Sequence, residues 1–85
     1  MQKIRPEPGI GGNIRRLRIE NEMKQDEVVG RLNLMDVSIT RSTYAKIETN
    51  RMNIKVSELI ALKEVFKAEY EDFFENDENN DKVDE

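Results

Sequence analysis

The chain contains no cysteine, no histidine and no long apolar run. Without cysteine and histidine it cannot build a disulfide, a Cys/His zinc site, a Ser-His-Asp triad or a thiol nucleophile. Its longest unbroken apolar run, residues 59–62, falls far short of the roughly 20 residues that cross a bilayer. We therefore expect no enzyme activity, no metal or other cofactor, no membrane contact and a cytoplasmic location.

The 85 residues suffice for one domain with a small core, flanked by two segments of different composition. Residues 1–9 contain two prolines and a glycine, which disfavour helix, so they are predicted to form a flexible arm. Residues 76–85 contain a single apolar residue and are predicted to form a disordered acidic tail. The folded domain is therefore expected to span residues 10–75.

The formal net charge of −4 argues at first sight against binding to nucleic acid. The negative charge is concentrated at one end, because residues 75–85 hold six carboxylates against Lys82. Residues 1–74 hold 13 Lys and Arg against 12 Asp and Glu, a net charge of +1. DNA binding by the nearly neutral remainder would depend on where its cations lie rather than on their number.

Helical periodicity predicts a first helix from about Ile10 to Glu20, with its apolar positions spaced at i, i+4 and i+7. Two shorter amphipathic helices are predicted between residues 25 and 48, and Thr40 is a natural N-cap for the second of them. The exposed face of this second helix would carry cations and hydroxyls without a carboxylate, namely Arg41, Ser42, Thr43 and Lys46. Such a face suits the acceptor-rich major groove of DNA.

Two further helices are predicted after residue 50. Asn50 is expected to end the preceding helix in a left-handed conformation, and Ser57 is expected to cap a fourth helix. A short fifth helix, at about 69–75, carries the aromatic residues Tyr70, Phe73 and Phe74. These three residues have two interpretations, as core or as a dimer surface; core is favoured for Tyr70 and Phe73, and the two are balanced for Phe74.

Four sequence motifs together resemble the Cro/repressor-type helix-turn-helix family, also called the xenobiotic-response-element type. They are I-x-x-L-R at 14–18, M-K-Q-D-E at 23–27, R-S-T-Y-A-K-I-E at 41–48 and S-E-L-I-A-L at 57–62. The resemblance covers residues 10–74 and implies an all-α, compact five-helix lambda-repressor-like DNA-binding domain. In such a domain the helix at 41–48 enters the major groove of double-stranded DNA.

The sequence departs from the family pattern at three places. Lys24 stands where a capping Ser or Thr is usual, and the connection at 33–39 is longer than in the phage repressors. Glu22 stands where a helix-ending glycine is common, so Asn21 is expected to be the left-handed residue at that turn. Several apolar residues of the longer connection are expected to pack on the domain.

The resemblance also implies roles for individual side chains. Arg41, Ser42, Thr43 and Lys46 would contact base edges, Arg41 by a bidentate contact with guanine, and Thr43 would contact either base or phosphate. Gln25 would bind phosphate at a helix N-terminus, although it also reads as an ordinary surface glutamine. Arg51 and Lys55 would bind phosphate, or form a solvated turn. Arg18 and Glu48 would form a structural ion pair, whereas the neighbouring Arg15 and Arg16 are expected to form a solvated face.

Three functions remain open at this point. The first is a sequence-specific transcriptional regulator, a repressor, that acts as a homodimer on a pseudo-palindromic operator. The second is an antitoxin, in which the same DNA-binding fold also caps a toxin as its protein partner. The third is a protein-interaction adaptor without DNA binding, which the basic and hydroxylic face at 41–48 disfavours.

Overall fold

A computed structural model describes residues 9–75, which form five α-helices and no strand. The helices are α1 (Gly11–Glu20), α2 (Gln25–Leu34), α3 (Arg41–Glu48), α4 (Val56–Phe66) and α5 (Tyr70–Phe73). The predicted all-α, five-helix class is confirmed. Residues 1–8 of the predicted arm and the predicted tail at 76–85 lie outside the described residues. None of the helices within 9–75 is long and apolar enough to cross a membrane.

Side chains from all five helices meet in one apolar core. Its seven largest fully buried members are Ile14, Val28, Leu32, Tyr44, Ile47, Leu62 and Phe73. Each such side chain contributes about 1.5–3 kcal/mol by leaving water. In this arrangement α3 packs against both α1 and α2, α2 also packs against α4, and α5 packs against α1. The core therefore fixes how the starts of α2 and α3 lie relative to each other.

Carboxylates at the third helical position, rather than hydroxyls, complete the starts of α2, α4 and α5. Glu27 accepts a hydrogen bond from the backbone N–H of Lys24 (2.7 Å), and Glu58 accepts one from that of Lys55 (2.8 Å). The expectation that Ser57 caps the fourth helix is therefore wrong, since the N-cap is Lys55, two residues earlier, and α4 starts at Val56. The predicted N-cap of α3 is confirmed, because Thr40 Oγ1 accepts from the N–H of Thr43 (3.1 Å).

The turn after α1 corrects a second expectation. Glu22 is the left-handed residue, with φ of 57°, whereas Asn21 has φ of −91°. The reason is the pair of backbone hydrogen bonds that close the helix, from Glu22 N–H to Ile19 O (2.9 Å) and from Met23 N–H to Arg18 O (3.1 Å). These two bonds form a Schellman motif, which requires a left-handed residue at the position of Glu22.

The end of α3 repeats this motif with a more suitable residue. Asn50 has φ of 62°, as predicted, and its side-chain Oδ1 accepts from the backbone N–H of Gly11 (2.9 Å). A Cβ atom at Gly11 would overlap the carbonyl oxygen of Ile47, whereas Gly12 faces open space. Helix α1 starts at Gly11, close to the predicted start at about Ile10, and the missing side chain of Gly11 lets α1 approach α3.

The connection between α2 and α3 packs only in part. Val37 is half-buried and Ile39 is buried, whereas Met35 and Leu34 are exposed, Leu34 by 86%. The Nδ2 of Asn33 donates to the carbonyl oxygens of Val29 (2.7 Å) and Ile39 (3.2 Å). The last turn of α2 thus holds the connection against the domain.

Helix α5 separates the three aromatic residues into different environments. Phe73 is fully buried, so it belongs to the core and is not available for a dimer surface. Tyr70 is 45% exposed, so its favoured assignment to the core is wrong. Because α5 is a single turn, the ring of Tyr70 lies outside the core, and Lys63 Nζ lies over it, 5.2 Å from the ring centroid. Phe74 is 63% exposed.

Polar groups on α1 hold α5 in place. Asn13 Nδ2 donates to the carbonyl oxygens of Phe73 (2.8 Å) and Glu75 (2.7 Å). Arg16 donates to the carbonyl oxygen of Asp72 (3.0 Å) and forms an ion pair with the Glu75 carboxylate (3.1 Å). Arg16 is therefore not part of a merely solvated face, in contrast to the exposed Arg15.

Candidate nucleic-acid interface

The two sides of α3 have opposite chemistry. Arg41, Ser42 and Lys46 are exposed, whereas Tyr44 and Ile47 are buried. The one carboxylate of α3, that of Glu48, is also buried, with 4% of the residue exposed. The exposed side of α3 is therefore cationic and hydroxylic, which is the chemistry that base and phosphate acceptors require.

Glu48 is buried because it pairs with Arg18 of α1. The Nε of Arg18 donates to one Glu48 oxygen (2.7 Å) and its Nη2 to the other (3.1 Å), a bidentate geometry. The Nη1 of Arg18 donates to the carbonyl oxygen of Met23 (3.0 Å), and Gln25 Nε2 adds a further bond to Glu48 Oε1 (3.0 Å). This cluster joins α1, the start of α2 and the end of α3.

The cluster shifts the ionisation of its members. Burial by itself would raise the pKa of Glu48, but the hydrogen bonds from Arg18, and further from Gln25, hold that pKa below its ordinary value. The hydrogen bond to Glu48 raises the pKa of Arg18. Burial raises the pKa of the neighbouring Tyr44, so its phenol stays protonated. The pair is therefore charged at neutral pH.

The start of α2 reaches the start of α3 through Arg41. The Nε of Arg41 donates to Oε1 of Gln25 (3.3 Å) and lies 3.6 Å from Oδ1 of Asp26. Gln25 therefore bridges Arg41, on the exposed side of α3, and the buried Glu48. Sequence reasoning missed the contact of Asp26, because a carboxylate in the first turn of a helix has a sufficient explanation in the helix dipole.

The turn after α3 carries the two cationic side chains that are predicted to bind phosphate. Arg51 and Lys55 are exposed, and Lys55 lines a cleft of about 430 Å³ together with Thr43. The cleft is lined mainly by hydroxyl and amide side chains, including Ser38, Thr40, Asn33 and Asn53. Ser38 and Asn53 were not singled out from the sequence, since no periodic or capping signal marks them.

Comparison with known proteins agrees with this arrangement. A family model described as a helix-turn-helix domain matches residues 11–78. Curated proteins and solved structures gave no match. The matched region contains α2, the connection and α3, in which the helix-turn-helix geometry lies. Because the match covers most of the chain, this protein belongs to the helix-turn-helix domain family.

Proposed function

We propose that this protein is a sequence-specific DNA-binding repressor of transcription that inserts α3 into the major groove of its operator. The observation that carries the proposal is the division of α3 into a cationic, hydroxylic exposed side and a buried side that includes its only carboxylate. A helix with exposed carboxylates would repel phosphate, whereas the exposed side of α3 carries cations and hydroxyls, all of which can donate to phosphate and base acceptors. Membership in the helix-turn-helix family supports the same function.

The base contacts are assigned to the exposed end of α3. Arg41 lies at the first helical position and has the planar fork that pairs with O6 and N7 of guanine. Ser42 follows it, and Lys46 lies about one turn further along the same helix. Thr43 is half-buried and lines the cleft beside Lys55, a position that suits a phosphate contact as well as a base contact.

The phosphate contacts are assigned to the elements on either side of α3. Gln25 begins α2. At the start of a helix the backbone N–H groups lack partners within the helix and can donate to an anion. Arg51 and Lys55 lie on the turn that follows α3. These contacts fix the orientation of the protein without reading sequence.

The test is selection of bound sequences from a random DNA pool at a stated salt concentration, with wild type, Arg41→Ala and Arg15→Ala compared. Arg15→Ala is a matched control, since it removes the same charge from an exposed position on α1. Arg41→Ala should weaken binding by about 1–3 kcal/mol and relax preference at one base position. Arg15→Ala should leave preference intact. A wild-type protein that selects no sequence would overturn the proposal.

A homodimer on a pseudo-palindromic operator is part of the proposal. Phe74 is exposed and lines an apolar groove of about 480 Å³ with Ile10, Ile54 and Leu59, and Tyr70 is exposed on the same short helix. Phe74→Glu should reduce the sedimentation coefficient to that of a monomer. Leu34→Glu, which charges an apolar residue that is more exposed and lies on α2, should not. A wild-type protein that is monomeric at binding concentrations would exclude this part.

An antitoxin role is favoured by one further observation. Val56 and Ile60 lie one turn apart on α4 and are 73% and 48% exposed, so α4 presents apolar surface to a protein partner. An antitoxin should co-purify with one stoichiometric toxin, and Val56→Glu should release it while DNA binding persists. Purification without such a partner would leave the repressor function alone.

A further inference from the structure

Two acceptors on α2 hold the guanidinium of Arg41 from one side. The Nε of Arg41 donates to Gln25 Oε1 (3.3 Å) and lies 3.6 Å from Asp26 Oδ1. Within residues 9–75, both of these contacts use Nε. An arginine has five N–H donors, so this arrangement leaves the two terminal nitrogens, which form the end of the fork, for a ligand.

The orientation of Gln25 in this arrangement is set by a buried group. Glu48 is ionised and has only acceptor oxygens, so Gln25 must turn its Nε2 toward it, and the two lie 3.0 Å apart. The remaining atom of the amide, Oε1, then faces Arg41. The Arg18–Glu48 pair thus fixes one support of Arg41, and Asp26 supplies the other.

We propose that Asp26 is a specificity-determining residue that acts by positioning Arg41 for guanine. This inference rests on the proposed function. Because the Arg41 and Asp26 side chains are 60% and 75% exposed, their ion pair contributes little to folding. Its effect is on binding, since an arginine already held at Nε loses less side-chain freedom when its terminal nitrogens meet O6 and N7 of guanine.

The Asp26 carboxylate also disfavours complexes with non-specific DNA. An unrestrained arginine at the start of α3 would reach the nearest phosphate on any sequence, which gives affinity without discrimination. Asp26 restrains the direction in which that guanidinium points, and its carboxylate is repelled by the phosphates of the DNA backbone. Guanine, bound through the other end of the fork, does not require Arg41 to leave Asp26.

The test compares Asp26→Asn with Glu27→Gln at a fixed salt concentration. Glu27 is a matched control: it is an exposed carboxylate in the same turn of α2, and it caps the N–H of Lys24 rather than contacting Arg41. The measured quantity is the affinity for the selected site divided by the affinity for the same site with the guanine at the Arg41 position replaced. Asp26→Asn should lower this ratio roughly three- to tenfold, and Glu27→Gln should leave it unchanged.

A further comparison shows whether Asp26 acts through Arg41. In an Arg41→Ala background, Asp26→Asn should produce no further change in the ratio. Two results would overturn the inference, because either would describe a general charge effect. One is a further loss of base preference when Asp26→Asn is added to Arg41→Ala. The other is an equal change in the affinity for both DNA sites in Asp26→Asn and in Glu27→Gln. If wild type selects a sequence and Asp26→Asn reads it unchanged, only this inference fails. If wild type selects none, the proposed function fails with it.

A measurement without DNA tests the contact itself. The Arg41 Nε–H group donates to Gln25, and without the Asp26 carboxylate the guanidinium should leave this position more often. The NMR signal of this group should therefore exchange faster with water in Asp26→Asn than in wild type or in Glu27→Gln. Equal exchange in all three proteins would show that Asp26 does not hold Arg41. Melting temperatures of the three proteins establish that the variants are folded during both measurements.

Discussion

At the scale of single residues, the ion pair between Arg18 and Glu48 is the interaction on which the proposed DNA-binding face depends. Only 13% of the Arg18 side chain and 1% of the Glu48 side chain are exposed. Removing one partner leaves a buried charge without its counter-charge, which costs more than the pair itself contributes. The pair also holds Gln25, through which it reaches Arg41.

We predict that Arg18→Ala and Glu48→Ala each lower the free energy of unfolding by about 3 kcal/mol, whereas the double variant loses much less than the sum. Urea denaturation of the four proteins gives the coupling energy. The pair of Arg16 and Glu20 on α1, whose side chains are 35% and 57% exposed, is the control, and its coupling should stay within about 0.5 kcal/mol. Additive losses at Arg18 and Glu48 would mean that the pair is not formed in solution.

The depressed pKa of Glu48 predicts a pH dependence of stability. Because the folded-state pKa lies below the ordinary value of 4.5, the contribution of Glu48 is complete well above pH 4.5. It is lost as the pH falls from about 4.5 through the lower folded-state pKa, since the folded protein then also takes up the proton. Denaturation at a series of pH values between 2.5 and 7 measures this dependence of the free energy of unfolding on pH. Glu48→Gln should be less stable at pH 7 and lose less stability on acidification; a slope equal to that of wild type would contradict the prediction.

At the scale of elements, helix ends and helix contacts decide which backbone conformation each residue adopts. Glu22 occupies a left-handed position because the Schellman motif after α1 places that conformation there, against the preference of a residue with a Cβ. Gly11 begins α1 because its backbone lies against the last turn of α3. In both places the packing of the helix overrides the local preference of the residue.

The turn after α1 gives a prediction with opposite signs at adjacent positions. Glu22→Gly should raise the free energy of unfolding by about 0.5–1 kcal/mol, because relief of left-handed strain exceeds the added entropy of the unfolded chain. Asn21→Gly should lower it by about 1 kcal/mol, since Asn21 has negative φ and its Nδ2 donates to Leu17 O (2.8 Å). Thermal unfolding distinguishes them. The reverse order would place the left-handed residue at Asn21.

The start of α1 gives a second pair of adjacent positions. Gly11→Ala should destabilise the protein by about 1–3 kcal/mol, because the new methyl group meets the backbone of Ile47 and separates α1 from α3. Gly12→Ala should stabilise it by about 0.5–1 kcal/mol, since its added methyl group meets no other atom and alanine favours helix. Denaturation curves of both variants decide this. Equal effects would show that α1 and α3 are not in close contact there.

At the scale of the whole molecule, charge is distributed unevenly along the sequence. Residues 76–85 contain five carboxylates and Lys82, so they carry a net charge of −4, equal to that of the whole chain. The remainder is formally neutral, and four of its 13 Lys and Arg residues lie on α3 and the following turn. In the proposed complex, long-range repulsion between the protein and DNA would therefore come from residues remote in sequence from α3.

We predict that neutralising these five carboxylates tightens DNA binding. Asp77, Asp81 and Asp84 are changed to Asn, and Glu78 and Glu85 to Gln, which preserves chain length. The gain should be largest below about 0.05 M salt, where screening is weak, and discrimination between specific and non-specific sites should fall. Titration of one operator and one unrelated duplex over a salt series measures both. Weaker binding at every salt concentration would indicate instead that these residues contribute to the complex.

Much of the fold follows from local patterns. The number and type of helices, the Thr40 cap and the left-handed Asn50 are set by interactions within about four residues, which sequence periodicity records directly. The apolar spacing likewise predicts that Tyr44 and Ile47 are buried and that the predicted donors of α3 are exposed, which holds for all of them except the half-buried Thr43. Local sequence patterns are therefore sufficient to predict the class of the fold and the chemistry of the exposed side of α3.

Tertiary structure alone decided which of these groups meet. Asp26 and Arg41 are 15 residues apart and come together only because α2 packs on α3. The burial of Phe73 and the exposure of Tyr70 depend on where α5 meets α1, which a single helical turn does not encode. The partner of a side chain across two helices depends on packing of the whole core, since no interaction within one segment selects it.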